Sequence, residues 1–129
     1  MSWLWRRSRA SFDRADYDAR GFIDASLSAL HYAQKSAIAQ RRTVCVTFTA
    51  TTVTLTVASV FGGACNTNLT GPTGISPHVV TARGATIFSP TPTAFSFTPL
   101  GSASLGQTIS VSGYTAKTIT VDAATGYAY

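Results

Sequence analysis

The chain has 129 residues, of which 45% are hydrophobic and 12% are charged, and these proportions indicate one compact domain. They exclude a disordered tail and a repeat array. Ten Lys and Arg against five Asp and Glu give a formal charge of +5, which fits an acidic partner but identifies none. No run of 18 apolar residues occurs, so the sequence does not predict a membrane-spanning helix.

Residues 1–12 precede the first regular pattern and contain three Arg beside Trp3 and Trp5. This composition is typical of a membrane-interface anchor, and equally of a segment foreign to the natural chain. We therefore predict an extension over residues 1–12 and a globular head over residues 13–129.

The head begins with a helical pattern over residues 13–42. Apolar side chains recur there every three to four positions, which predicts one amphipathic helix with a single core face. That predicted face consists of Ile23, Leu27, Leu30 and Ile38. Gly21 weakens the helix by up to about 1 kcal/mol relative to Ala, and marks either a bend or a close approach to a neighbour.

Residues 43–129 alternate apolar and polar side chains with a period of two, which predicts strands. The first two should form a hairpin that turns around Thr49 to Thr51, and residues 61–77, rich in Gly and Pro, should be a long loop. Shorter strands are predicted over 79–82, 86–88, 95–98, 108–112, 118–122 and 127–129. A helix followed by about seven short strands predicts an α+β fold, with the helix packed on antiparallel sheets.

The chain has two cysteines, Cys45 and Cys65, separated by 20 positions. They favour one disulfide, worth about 3 kcal/mol by loop-closure entropy, in an oxidising compartment. Two free buried thiols are the alternative. With two His and no Cys-x-x-Cys spacing, the sequence predicts no metal site.

Catalytic groups are scarce, since the chain has no Glu and four of its five Asp fall in the helical segment. Ser and Thr are so frequent that a triad with His31 or His78 carries no specificity. We therefore predict a protein without catalytic residues or cofactors.

Nucleic-acid binding is the chemical alternative, because basic residues in the head could contact phosphates. The candidates are Arg41, Arg42, Arg83 and Lys117. A straight helix over residues 20–41 would place its basic ends about 30 Å apart. The candidates therefore form one patch only if the fold brings other basic residues between those ends.

Four segments, taken in order, resemble the GspH/FimT family of type II secretion pseudopilins and minor type IV pilins, particularly the MSHA-type pilins. The first is the helical stretch from Asp16 to Ala39, which resembles the family's region just after the membrane helix. Arg41-Arg-Thr-Val-Cys-Val-Thr-Phe48 resembles the first strand. Phe95-Ser-Phe-Thr-Pro-Leu-Gly101 resembles the family's Phe-x-Pro-x-Gly element, and Ile119-Thr-Val-Asp-Ala-Ala-Thr-Gly126 its last strand and turn.

The resemblance implies a non-catalytic minor pilin or pseudopilin that joins a type II secretion pseudopilus or an MSHA-like type IV pilus near the filament tip. Its partners would be other pilin subunits, and its head would be periplasmic. Such proteins are anchored in the inner membrane by an apolar N-terminal helix that is cleaved and methylated at its start. We expect residues 1–12 to stand in place of that helix; a wrongly assigned start and a member that has lost assembly are the alternatives. A DNA-binding minor pilin used in DNA uptake is the rival interpretation, and a surface adhesin using the loop over 61–77 is a third.

Overall fold

The fold is one long helix followed by seven strands, seen in a computed structural model that describes residues 2–76 and 78–129, with side chains for 16–76, 78–114 and 117–129. The helix packs against two antiparallel sheets. This arrangement confirms the predicted α+β class and the number of strands.

Helix α1 extends over Ser2–Gln40. It begins well before the predicted start at residue 13, because no Gly or Pro interrupts the chain before Gly21 and a change in composition alone does not stop a helix. It also ends two residues earlier than predicted. Arg41 adopts φ 54° and the Arg42 N–H donates to the Ala37 carbonyl at 3.2 Å, which is the hydrogen bond of a Schellman C-cap.

The larger sheet has five strands, ordered β3-β2-β1-β5, with β4 also paired to β2. Its members are β1 (Val44–Phe48), β2 (Thr52–Ala58), β3 (Cys65–Asn68), β4 (His78–Thr81) and β5 (Phe95–Phe97). Strands β3 and β4 share one edge of β2, since β3 pairs with its last residues and β4 with its first four. The smaller sheet pairs β6 (Gln107–Val111) with β7 (Tyr114–Val121).

Most predicted strands are present, since residues 79–82, 95–98, 108–112 and 118–122 correspond to β4, β5, β6 and β7 to within four residues at each end. The hairpin turning at Thr49 to Thr51 is confirmed. The prediction of a loop over all of 61–77 is partly wrong, because Cys65–Asn68 forms β3 on the edge of β2. The last residue of that range, Pro77, lies outside the described residues. Residues 86–88 and 127–129 contribute isolated bridges, Phe88 to Val111 and Ala128 to Val121, instead of strands.

The core lies between α1 and the two sheets, and its largest fully buried side chains come from all three layers. They include Ile23, Leu30, Leu55, Phe88, Phe97, Ile109 and Ile119. Leu27 is partly buried against this core. The placement of Ile38 in the core face was wrong, because its side chain is 48% exposed. The small side chains of Ala33 and Ala37 continue the buried face instead, and they let the last turns of α1 approach the sheet closely.

Ser26 is a polar residue within the core face of α1. It is 1% exposed, and its Oγ has no hydrogen-bond partner among the described residues. We expect Ser26→Ala to raise the free energy of unfolding by about 1 kcal/mol, because it removes an unsatisfied buried hydroxyl. Urea denaturation measures this change. Ser28→Ala on the exposed side of the same helix controls for helix propensity, and an equal gain in both variants would contradict the explanation.

The predicted disulfide is present between Cys45 of β1 and Cys65 of β3, with a Cα–Cα distance of 6.2 Å. Val44 and Val46, on either side of Cys45, are buried against α1. Because neighbouring side chains in a strand point to opposite faces, Cys45 lies on the face of the sheet that α1 does not cover. The disulfide therefore links the start of β3 to β1, past the end of the intervening strand β2, on the face of the sheet opposite α1.

Candidate functional site

The four basic residues considered for DNA binding lie in two separate places. The Lys117 ammonium is paired with the Asp24 carboxylate at 2.6 Å, and Arg83 lies beside the same part of α1. Arg41 and Arg42 follow the end of the helix, about 25 Å away along its axis at 1.5 Å per residue from Asp24. The fold therefore does not gather these cations into one patch.

A groove, here called the helix groove, lies between the N-terminal half of the head's helical segment and the edge strand β4. Its volume is about 280 Å³, and its lining residues are Tyr17, Asp18, Gly21, Phe22, Ala25, Thr81 and Arg83. A Cβ built on Gly21 would meet no atom within 4 Å, so the missing side chain leaves the groove open. Phe22 is buried in the floor, whereas Tyr17 is 74% exposed at the rim.

A second feature is the tight turn between β2 and β3, here called the Val60–Phe61 turn. The Gly63 N–H donates to the Val60 carbonyl at 3.1 Å, and Gly62 supplies the positive φ of 79° that this turn requires. Val60 is 61% exposed and Phe61 is 75% exposed. The turn therefore leaves two adjacent apolar side chains exposed to solvent.

The segments that resemble the Phe-x-Pro-x-Gly element and the last strand meet at one point on α1. The Gln34 side-chain amide donates to the carbonyls of Gly101 and Thr125, at 2.9 and 3.0 Å. Gly126 sits so close to Gly101 that a Cβ there would overlap the Gly101 carbonyl oxygen. This contact explains the glycine at position 126, whereas at Gly101 the φ is 96° and a Cβ would lie 2.8 Å from Ile38 Cδ1. The Gln34 hydrogen bonds attach both turns to the helix.

Both histidines are used in packing. His31 Nε2 lies 2.7 Å from the Ala128 carbonyl oxygen, and its ring stacks on Tyr127. His78 contacts the edge of the Tyr32 ring. Within the described ranges, no three His, Cys, Asp or Glu side chains come together in a way that could hold a metal ion. Nor does any helix in that part of the chain combine the length and apolarity needed to cross a membrane.

Comparison with known families decides the identity of this head. The family model described as type II transport protein GspH matches residues 23–125. The chain belongs to the GspH family. Searches of curated proteins and of solved structures give no significant match.

Membership in the GspH family confirms the resemblance drawn from the sequence segments. The matched range contains the helix from Ile23 onward, the seven described strands, Gln34 and Gly101, and it ends one residue before Gly126. The family is one of type II secretion pseudopilins, so the match assigns this chain to the minor pseudopilins of type II secretion.

The helix groove and the Val60–Phe61 turn were missed by sequence reasoning. Gly21 was recognised as unusual for a helix, but its role as an opening beside β4 depends on the strand that packs there. Val60 and Phe61 precede Gly62 and Gly63, and an apolar pair next to a glycine turn is the signal that could have marked them as exposed.

Proposed function

We propose that this protein is a minor pseudopilin that joins the pseudopilus of a type II secretion system through protein contacts of its head, near the filament tip. The observation that carries the proposal is the match of the GspH family model over residues 23–125. The head is suited to a structural role because α1 contacts both sheets and so forms a rigid axis for the domain.

The proposal includes an anchor in the inner membrane before assembly, through an apolar helix ahead of the head, with the first residue methylated after cleavage. The intact mass and N-terminal sequence of the protein purified from membranes of its source test this part. A mature form with a methylated first residue and about 20 apolar residues before the head supports the proposal. A chain that starts at Met1 and fractionates away from membranes contradicts it.

The role in secretion is tested in cells. Deleting the gene should leave type II substrates in the periplasm, and a photo-crosslinker placed at exposed Leu100 should give adducts with other pseudopilin subunits. Restoring the intact gene should restore secretion. A deletion that removes surface pili but leaves secretion intact would assign the protein to an MSHA-like pilus instead.

DNA uptake is the second candidate, and the structure offers it less support because Lys117 is paired with Asp24 and the remaining cations are dispersed. We expect the head to bind duplex DNA weakly. We also expect Arg41→Glu with Arg42→Glu to weaken binding no more than two charge reversals elsewhere, such as Arg20→Glu with Lys35→Glu. Fluorescence anisotropy at low and moderate salt measures this. A selective loss on reversal of Arg41 and Arg42, with a smaller salt slope, would favour DNA uptake.

A further inference from the structure

The end of the edge strand β3 carries an acceptor sequence for glycosylation. Asn68-Leu69-Thr70 fits the pattern Asn-x-Ser/Thr, with a residue other than Pro in the middle position. The chain has two Asn, and the other, Asn66, is followed two positions later by Asn68 instead of a hydroxyl residue. One acceptor sequence is therefore present, and the fold determines whether an enzyme can reach it.

Both functional side chains of this acceptor are exposed to solvent. Asn68 and Thr70 are exposed, whereas Leu69 between them is 3% exposed and packs in the core. Alternate side chains of an extended segment point to the same side, so the Asn68 amide and the Thr70 hydroxyl lie on one side, about 7 Å apart along the chain. A transferase can contact both groups while the domain stays folded.

Backbone hydrogen bonds hold the acceptor in this extended form. The Leu69 N–H donates to the Leu55 carbonyl at 3.2 Å, and the Leu69 carbonyl accepts from the His78 N–H at 2.8 Å. The middle residue of the acceptor is thus fixed between β2 and β4. Because its side chain is buried there, the flanking side chains are directed outward.

The acceptor lies on the face of the larger sheet that α1 does not cover. Asn68 pairs with Thr56 of β2, and the neighbours of Thr56 on that strand, Leu55 and Val57, are buried towards the helix. Paired side chains share one face of a sheet, so Asn68 points to the outer face with Thr56. A glycan attached to Asn68 would extend away from the core.

We propose that Asn68 is a site of N-linked glycosylation, with a sugar activated at its anomeric carbon as a diphosphate ester as the donor. Asn68 Nδ2 attacks the anomeric carbon and forms a C–N bond. The bond from that carbon to the diphosphate oxygen breaks, and the diphosphate leaves with the electron pair while Nδ2 loses one proton to the transferase. The Thr70 hydroxyl positions the acceptor in the transferase. This modification goes beyond the proposed role in secretion and does not depend on it.

Mass spectrometry of the protein purified from membranes of its source tests the site. Trypsin cuts after Arg42 and Arg83 and leaves Asn68 in the peptide 43–83. After reduction of the disulfide, we expect this peptide to exceed its sequence mass by one or more sugar units, with fragmentation placing the added mass on Asn68. An unmodified peptide, or a sugar carried by Ser or Thr, overturns the proposal.

Variants produced in the source organism test recognition of the acceptor. Asn68→Gln and Thr70→Ala should each lower the modified fraction at least tenfold, whereas Thr70→Ser should keep most of it. Asn66→Gln on the same strand is the matched control and should also keep it. Because Asn68 and Thr70 are exposed, their variants should unfold at the same urea concentration as the unmutated chain. Undiminished modification in Asn68→Gln or Thr70→Ala overturns the proposal.

The size of the added mass distinguishes the two sources of such a donor. A lipid diphosphate delivers a preassembled oligosaccharide, whereas a nucleoside diphosphate delivers a single sugar, and either addition on Asn68 supports the proposal. The result is also separate from the cellular test of secretion. If Asn68 is modified but deletion of the gene leaves secretion intact, the glycosylation site stands and the proposed function is wrong.

Discussion

Replacing Gly126 by alanine is expected to destabilise the head by about 3 kcal/mol or more. Gly126 has φ 71°, where an L side chain costs about 1–2 kcal/mol, and its new Cβ would overlap the Gly101 carbonyl oxygen. Relieving that overlap moves the turn away from Gln34, which holds the Gly101 and Thr125 carbonyls, and overpacking of this kind adds about 1–3 kcal/mol. Urea denaturation followed by circular dichroism measures the loss.

Gly113→Ala is the matched control for this prediction. Gly113 also has a positive φ, 80°, but a Cβ there would meet nothing within 4 Å. Only the backbone cost applies, so we expect a loss of about 1–2 kcal/mol. If both variants lose the same stability, the close approach of Gly126 to Gly101 contributes nothing, and the explanation given for the glycine at position 126 is wrong.

Removing the disulfide with Cys45→Ser and Cys65→Ser is expected to lower the free energy of unfolding by about 3 kcal/mol. The bond closes a loop with a sequence separation of 20, and its loss gives the unfolded chain more conformational freedom. Strand β3 has four residues and, within the described part of the chain, pairs with β2 alone, so it should also become less protected. Denaturation measures the first effect and amide hydrogen exchange the second.

Chemical reduction of the unmutated chain provides the control, because it breaks the same bond without changing a residue. Both treatments should increase exchange in residues 65–68 far more than in the central strand β1, which has a partner on each side. Equal increases in β1 and β3 would mean that the bond supports the whole sheet, contrary to the local role inferred from its position.

Local patterns were enough to predict the helix, the first hairpin and the disulfide. The spacing of Ile23, Leu27 and Leu30 indicates a helix with one apolar face, and the alternation from Val44 to Val57 indicates a hairpin. These signals are strong because a period of 3.6 or 2 repeats several times within one element. The helical spacing wrongly predicted that Ile38 is buried. Its neighbour Ala37 is buried instead, because α1 lies so close to the sheet there that the smaller side chain fits.

Long-range placement was decided by tertiary structure. Cys65–Asn68 is a strand because β2 offers it a free edge beside β4, which no local pattern in residues 61–77 indicates. The separation of Arg41 from Arg83 and the opening at Gly21 both follow from how β2 and its partner β4 lie beside α1. Periodicity determines which face of an element is buried, whereas the pairing of distant strands determines which exposed residues become neighbours.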